Sequence, residues 1–218
     1  MTDTPMGPPA DATGLPSLAE LTAVARSDLF PVALVKNALL AISFFSAGFF
    51  GRNDVINLHV SGVQKISLND IDQRKLEHMQ AIYPSCEEIL VGDAYATARR
   101  LRDDYRTFQI VVCDPFTNRV LQMATDYFPL FRGLASKSYI FGINADAMAQ
   151  IGAEADAVSL GAALSRLHGE EIAVEALILR NPSISVYWAA VGRSAAGRSS
   201  ALLRGRRRDR AATGGTSR

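Results

Sequence analysis

The sequence predicts an α/β domain, a three-layer sandwich with helices on both faces of a mostly parallel, seven-stranded sheet. Three observations predict it. Apolar runs of strand length alternate with stretches of helical period from Leu39 to His168. Runs such as LLAISFF (39–45) and FQIVVC (108–113) are continuously apolar, as strands buried on both faces must be. Two final β-rich runs, EIAVEALILR and SISVYWAAVGR, have only the turn signal Asn181-Pro182 between them. Strands joined by a turn pair antiparallel, so the sheet closes with a C-terminal hairpin.

The elements follow in order. Residues 1–16, rich in Pro, Asp, Thr and Gly, read as a disordered leader, and residues 17–193 as a single domain. A first helix spans Ser17 to Phe30, with Ser17 and Glu20 at capping-box spacing. The first strand is Leu39 to Phe45, and Arg52 to Gly62 is a helix stopped by glycine. A strand at Gln64 to Asn69 precedes a helix closed by Pro84. CEEILVG (86–92) is a strand and AYATARRLRDDYR (94–106) an amphipathic helix. After the strand Phe108 to Cys113 comes a helix over 117–134, broken near Pro129. Lys137 to Ile143 is a strand, and a helix runs from about Asp156 to His168.

Composition narrows the function classes. With 218 residues and 48% hydrophobic content the chain can bury one sizeable core. Cys86 and Cys113 lie in apolar runs without metal-ligand spacing, so they read as buried thiols in a reducing, cytoplasmic compartment. The longest apolar stretch, Asn37 to Phe50, falls short of the ~20 residues that span a bilayer, so no membrane role is expected. Residues 192–218 hold eight Arg and one Asp, whereas residues 1–191 hold 21 acidic and 15 basic residues. An acidic body therefore carries a disordered basic tail, 194–218, with a possible nucleic-acid partner. His59, His78 and His168 are scattered, and no metal site is expected. There is no GxSxG elbow, no Walker A sequence and no GxGxxG.

In such a sheet, ligands bind beyond the carboxyl ends of the strands. There the first strand delivers a loop with Gly48 and Gly51, the second Asp70, the third Asp93 and the fourth Asp114. Asp70 follows Gly51 by 19 residues, the spacing at which a carboxylate meets ribose hydroxyls. Asp93 could accept from an exocyclic amine, and each of the three could instead cap the next helix.

The segments SAGFFGRND, ISLNDIDQRKLEHM, LVGDAYATARRL and QIVVCDPF, with the closing VEALILRNPSISVYWAAVGR, resemble the class I S-adenosylmethionine-dependent methyltransferases. The likeness covers roughly Leu39 to Arg193 and implies their Rossmann-like fold and S-adenosyl-L-methionine as cofactor. The resemblance implies that Ala47, Gly48, Gly51 and Asn53 lie in the loop under the methionine part of the cofactor. It implies that Asp70 holds the ribose, Ile71 packs on the adenine, and Asp93 with Ala94 meets the adenine amine. Asp114, Pro115 and Phe116 would line the methyl-transfer site for an acceptor the sequence does not identify.

The chain departs from the pattern in that loop. With Gly51 as the family's last glycine, the other two fall on Ala47 and Phe49, and the family's acid falls on Phe45. Either the loop takes another path through Gly48, or the fold has lost its cofactor. Two alternatives follow: a spermidine-synthase-like aminopropyl transferase, or an inactive methyltransferase-fold module whose basic tail binds nucleic acid. TDYFPLFRGL (125–134) is either a substrate lid or core.

Overall fold

The computed structural model describes residues 38–47, 49–113, 122–143, 145–180 and 185–191, with backbone alone for 49–53, 123, 176–180 and 185–191. Five strands form a parallel sheet: β1 (Leu40–Phe44), β2 (Lys65–Asp70), β3 (Cys86–Val91), β4 (Phe108–Cys113) and β5 (Ala135–Ile143). Their order is β3-β2-β1-β4-β5. The chain winds outward from β1 to β3, then returns past β1 to lay down β4 and β5. Strand order thus reverses between β1 and β4, and in sheets of this kind ligands bind beyond the carboxyl ends of the strands at such a point.

Side-chain alternation assigns the two faces. Ala41, Ile66, Leu68, Ile110 and Val112 turn to one side. There they meet Val55, Ile56 and Leu58 of α1 (Phe49–Val60) and Leu76 and Met79 of α2 (Gln73–Ile82). Ile42, Phe44, Val111 and Cys113 turn to the other. They meet α3 (Ala94–Asp103), α4 (Phe128–Leu134), the short α5 (Ala145–Gln150) and α6 (Ala157–His168). This is the three-layer α/β arrangement the alternating pattern predicts. Cys86 and Cys113 are buried and not joined in a disulfide, and burial pushes the Cys86 thiol up to about 12.

Three boundaries differ from the sequence reading. Helix α1 begins at Phe49, three residues before Arg52. Gly51 reads as a loop residue, yet it falls in the first turn of α1, where its entropic cost of about 1 kcal/mol relative to alanine is small enough for the rest of the fold to override. The six-residue α5 is too short for periodicity to reveal. The expected break near Pro129 takes the form of a π-helical turn, Met123–Tyr127, ahead of α4. Proline has no N–H and its ring would clash with the carbonyl four residues back, so a regular helix cannot run through it. The expected helix over 17–30 and both termini lie outside the described residues, as do residues 114–121. Among the described residues no helix is long and apolar enough to cross a membrane.

Two packing details carry predictions. Gly161 of α6 lies so close to the chain ahead that a Cβ there would sit 2.9 Å from the Ile172 carbonyl oxygen. Backbone cannot swing aside as a side chain can, so Gly161→Ala lowers stability by about 1–3 kcal/mol. A fall in the urea midpoint at unchanged slope would register this.

At the outer edge, Arg106 makes a two-pronged ion pair with Glu88, both bonds 2.8 Å, and stacks over Phe108 at 5.3 Å. Its bonds to Glu88, with help from the Ser67 hydroxyl, hold that carboxyl below the usual range, while burial opposes them. A depressed carboxyl contributes stability above its unfolded value and loses it as pH falls through the folded one. Arg106→Ala therefore costs about 1 kcal/mol at neutral pH, a small value because the pair is more than a third exposed. That difference shrinks toward zero in acid; a pH-independent difference would show that packing on Phe108 is all Arg106 supplies.

Candidate cofactor and acceptor site

The loop leaving β1 starts with a strained residue. Phe45 has φ +57°, in the left-handed region, where an aromatic side chain costs about 1–2 kcal/mol. The turn is held from β2. Ser46 N–H donates to the Asn69 carbonyl at 2.9 Å, and the Ser46 hydroxyl donates to the Ser43 carbonyl at 2.6 Å and accepts from Asn69 N–H at 3.2 Å. The sharp turn at Phe45 thereby brings the backbone of Ser46 and Ala47 across to the tip of β2.

Asp70 ends β2 and completes this link. Its Oδ2 accepts from Ala47 N–H at 3.0 Å and its Oδ1 from Asp72 N–H at 3.1 Å. An ionised carboxylate has about four lone-pair positions. Two are used, so each oxygen keeps one for a further donor, and the amides fix the orientation in which it is offered. The next residue, Ile71, is an apolar side chain left 76% exposed at the same edge.

Asn69 lies directly beneath and is fully buried. Its Nδ2 donates to the carbonyls of Leu90 at 2.7 Å and Gly92 at 3.1 Å, with the Thr97 hydroxyl at 3.2 Å. Gly92 N–H in turn donates to the Asp70 carbonyl at 2.9 Å. The side-chain amide thus ties the carboxyl tip of β2 to β3 and α3, while the Asn69 backbone makes the bonds to the loop leaving β1. Sequence reasoning passed over Asn69; the signal was a polar residue closing an otherwise apolar, fully buried strand.

Asp93 is exposed and caps α3, its Oδ1 accepting from Ala96 N–H at 2.8 Å. This is the helix-capping role open to any strand-end Asp, and it leaves the second oxygen of the carboxylate at the same edge. Ala94, the first residue of α3, is buried against the core. Gly51 and Asn53 fall within α1 rather than in a loop, since α1 begins at Phe49. Ala47 belongs to the loop and is buried. Gly48, Asp114 and Phe116 lie outside the described residues.

The structure thus brings Ala47, Asp70, Ile71 and Asp93 to one edge of the sheet, beside the point where strand order reverses. Phe128 and Phe131 of the segment 125–134 are core residues, whereas Tyr127 is only half-buried. His59 bonds the Ser85 hydroxyl at 2.8 Å, and burial lowers its basicity. Among the described residues no three His, Cys, Asp or Glu side chains converge as metal ligands.

Solved structures share this fold. A Streptococcus mutans protein assigned as a SAM-dependent methyltransferase superposes with a TM-score of 0.50 at 13% identity, over 72% of this chain and 45% of that one. Cofactor-bound Rv0187 from MTB superposes with a TM-score of 0.50 at 17% identity, over 85% of this chain and 94% of that one. The chain spans less than half the length of the first. No protein-family model matches the sequence, and no curated protein matches it. At these identities the likeness is one of fold, the Rossmann-like fold of class I methyltransferases.

Proposed function

We propose that the chain is an S-adenosylmethionine-dependent methyltransferase whose acceptor sits beside Asp114-Pro115-Phe116. The observation that carries the reading is Asp70, a carboxylate oriented by two backbone amides at the carboxyl tip of β2, next to β1, with Ile71 exposed beside it. Two open lone-pair positions fixed in one plane suit a ribose diol, and a bare apolar side chain one residue on suits the face of an adenine. In this reading the free oxygen of Asp93 accepts from the adenine amine, beside Ala94. In this reading the segment Ala47 to Asn53, with Gly48 and Gly51, passes under the methionine part.

The cofactor supplies a methyl group already activated on a sulfonium, so the chain need only hold the acceptor in line and keep water out. Asp114 accepts a hydrogen bond from the acceptor and orients its lone pair, while Phe116 shields the transfer. The sheet in this reading has seven strands, closed by an antiparallel hairpin of β6 (Ala173–Arg180) and β7 (Ser185–Val191). The pairing of Ser138 with Val191 through Ile143 with Val186 supports it. The buried cysteines, unjoined by a disulfide, fit a reducing cytoplasm, and the basic segment 194–218 fits an anionic partner such as RNA or DNA.

Thermal unfolding tests the reading. S-adenosylhomocysteine at 1 mM, in large excess over a micromolar dissociation constant, raises the midpoint by about 5 °C or more. An unmoved midpoint would leave the fold as a scaffold, with the strained Phe45 turn marking a lost site.

A further inference from the structure

Tyr95 is the second residue of α3, directly after Asp93 and Ala94. Tyr127 closes the π turn ahead of α4. Both are half-buried, and their rings lie 5.3 Å apart at 55°. Tyr127 continues onto Phe131 at 6.0 Å, and Phe131 meets Phe44 at 4.6 Å. An aromatic ladder therefore climbs from the core under β1 to the carboxyl edge. At its outer end the Arg99 guanidinium lies 5.7 Å over the Tyr95 ring and holds it in place. Buried tyrosines normally send the hydroxyl to a partner. Neither hydroxyl here has a hydrogen-bond partner among the described residues.

The segment that carries Tyr127 is fixed from outside. His168, the last residue of α6, donates Nε2–H to the Ala124 carbonyl at 2.8 Å; a carbonyl only accepts, so that nitrogen bears the proton. Its ring stacks on Phe128, 5.4 Å apart at 16°. One residue inserted into a helix re-aims the side chains beyond it by about 100°. The π turn therefore sets where Tyr127 points, and His168 holds the π turn.

We propose that Tyr95 and Tyr127 form the acceptor-recognition wall and that the acceptor carries a planar aromatic ring without negative charge. The proposal rests on the methyltransferase reading, which puts an acceptor at this edge. A flat ring laid along Tyr127 gains face contact that a puckered ring of the same size does not. The two tyrosine hydroxyls serve its polar substituent. The exposed carboxylates on the same elements, Asp93 and Asp126, disfavour an anionic ligand.

The test compares 2-naphthol with decahydro-2-naphthol by calorimetry on the full chain, with and without saturating S-adenosylhomocysteine. The aromatic alcohol binds about tenfold tighter, and Tyr127→Leu removes the preference while S-adenosylhomocysteine affinity stays unchanged. His168→Leu, which leaves both tyrosines in place, reduces the preference in the same direction. Equal affinity for the two alcohols overturns the proposal, as does a preference that survives in both Tyr95→Leu and Tyr127→Leu. Loss of the methyltransferase reading shows separately, as absence of S-adenosylhomocysteine binding in the same samples. A Tyr127-dependent aromatic preference in cofactor-free protein still supports the wall.

Discussion

Asn69→Asp destabilises the protein by about 3 kcal/mol or more, although it exchanges an amide nitrogen for an oxygen of nearly the same size. The wild-type Nδ2 donates to two carbonyl oxygens at 2.7 and 3.1 Å and faces a hydroxyl at 3.2 Å. A carboxylate in that position turns acceptor against acceptor in a site with no access to water. Its escape is to take up a proton, so the loss is largest at neutral pH and eases in acid. Asn69→Ala removes the donor without adding charge and costs less, about 2 kcal/mol. Urea unfolding of the two variants measures the difference. If the Asp variant is no less stable than the Ala variant, the amide is not oriented as described and does not hold the tip of β2 to β3 and α3.

The second large effect is on affinity. Asp70→Ala weakens S-adenosylhomocysteine binding roughly 100-fold, the equivalent of about 3 kcal/mol for two charge-assisted hydrogen bonds. Part of the loss is indirect, because the same carboxylate holds the Ala47 amide at 3.0 Å and so fixes the loop path. Asp70→Asn separates the two contributions. It keeps one acceptor oxygen and the side-chain shape, but presents an NH₂ to one of the two backbone N–H groups. An intermediate affinity is expected, with a loss of stability smaller than that of Asn69→Asp. Unchanged affinity in both variants would remove Asp70 from the site.

Much of this was legible from residue types alone. The continuous apolar runs gave the buried parallel strands because no half-exposed strand reads that way. Asp72, Asp93 and Asp156 cap helices through their side chains, and each stands just before a helical pattern. Asp70 was visible as the acid at the end of the second strand. What stayed hidden depends on partners distant in sequence. Asn69 looks like any loop-edge polar residue until Leu90, Gly92 and Thr97 surround it. The start of α1 at Phe49 contradicts the local meaning of glycine at position 51, because helix capping and packing decide the boundary. The left-handed Phe45 has no sequence signal at all, since the residue type argues against that backbone. His168 was dismissed with the other histidines for want of a metal partner. Its role depends on a carbonyl 44 residues away in a turn that periodicity cannot foresee.

The departure from the family's glycine pattern takes a definite physical form. The chain turns at Phe45 rather than over a run of glycines, and Ser46 bonds to β2 in place of a freer loop. That path leaves the Asp70 carboxylate presented and supported, and it leaves the carboxyl tips of β1, β2 and β3 as the place where a nucleoside would lie. A crystal structure of the protein grown with S-adenosylhomocysteine tests this most directly. The account predicts both ribose hydroxyls within hydrogen-bond distance of the Asp70 carboxylate and the adenine resting on Ile71. A nucleoside bound elsewhere, or an Asp70 carboxylate contacting only Ala47 and Asp72 in crystals grown at millimolar ligand, would contradict it.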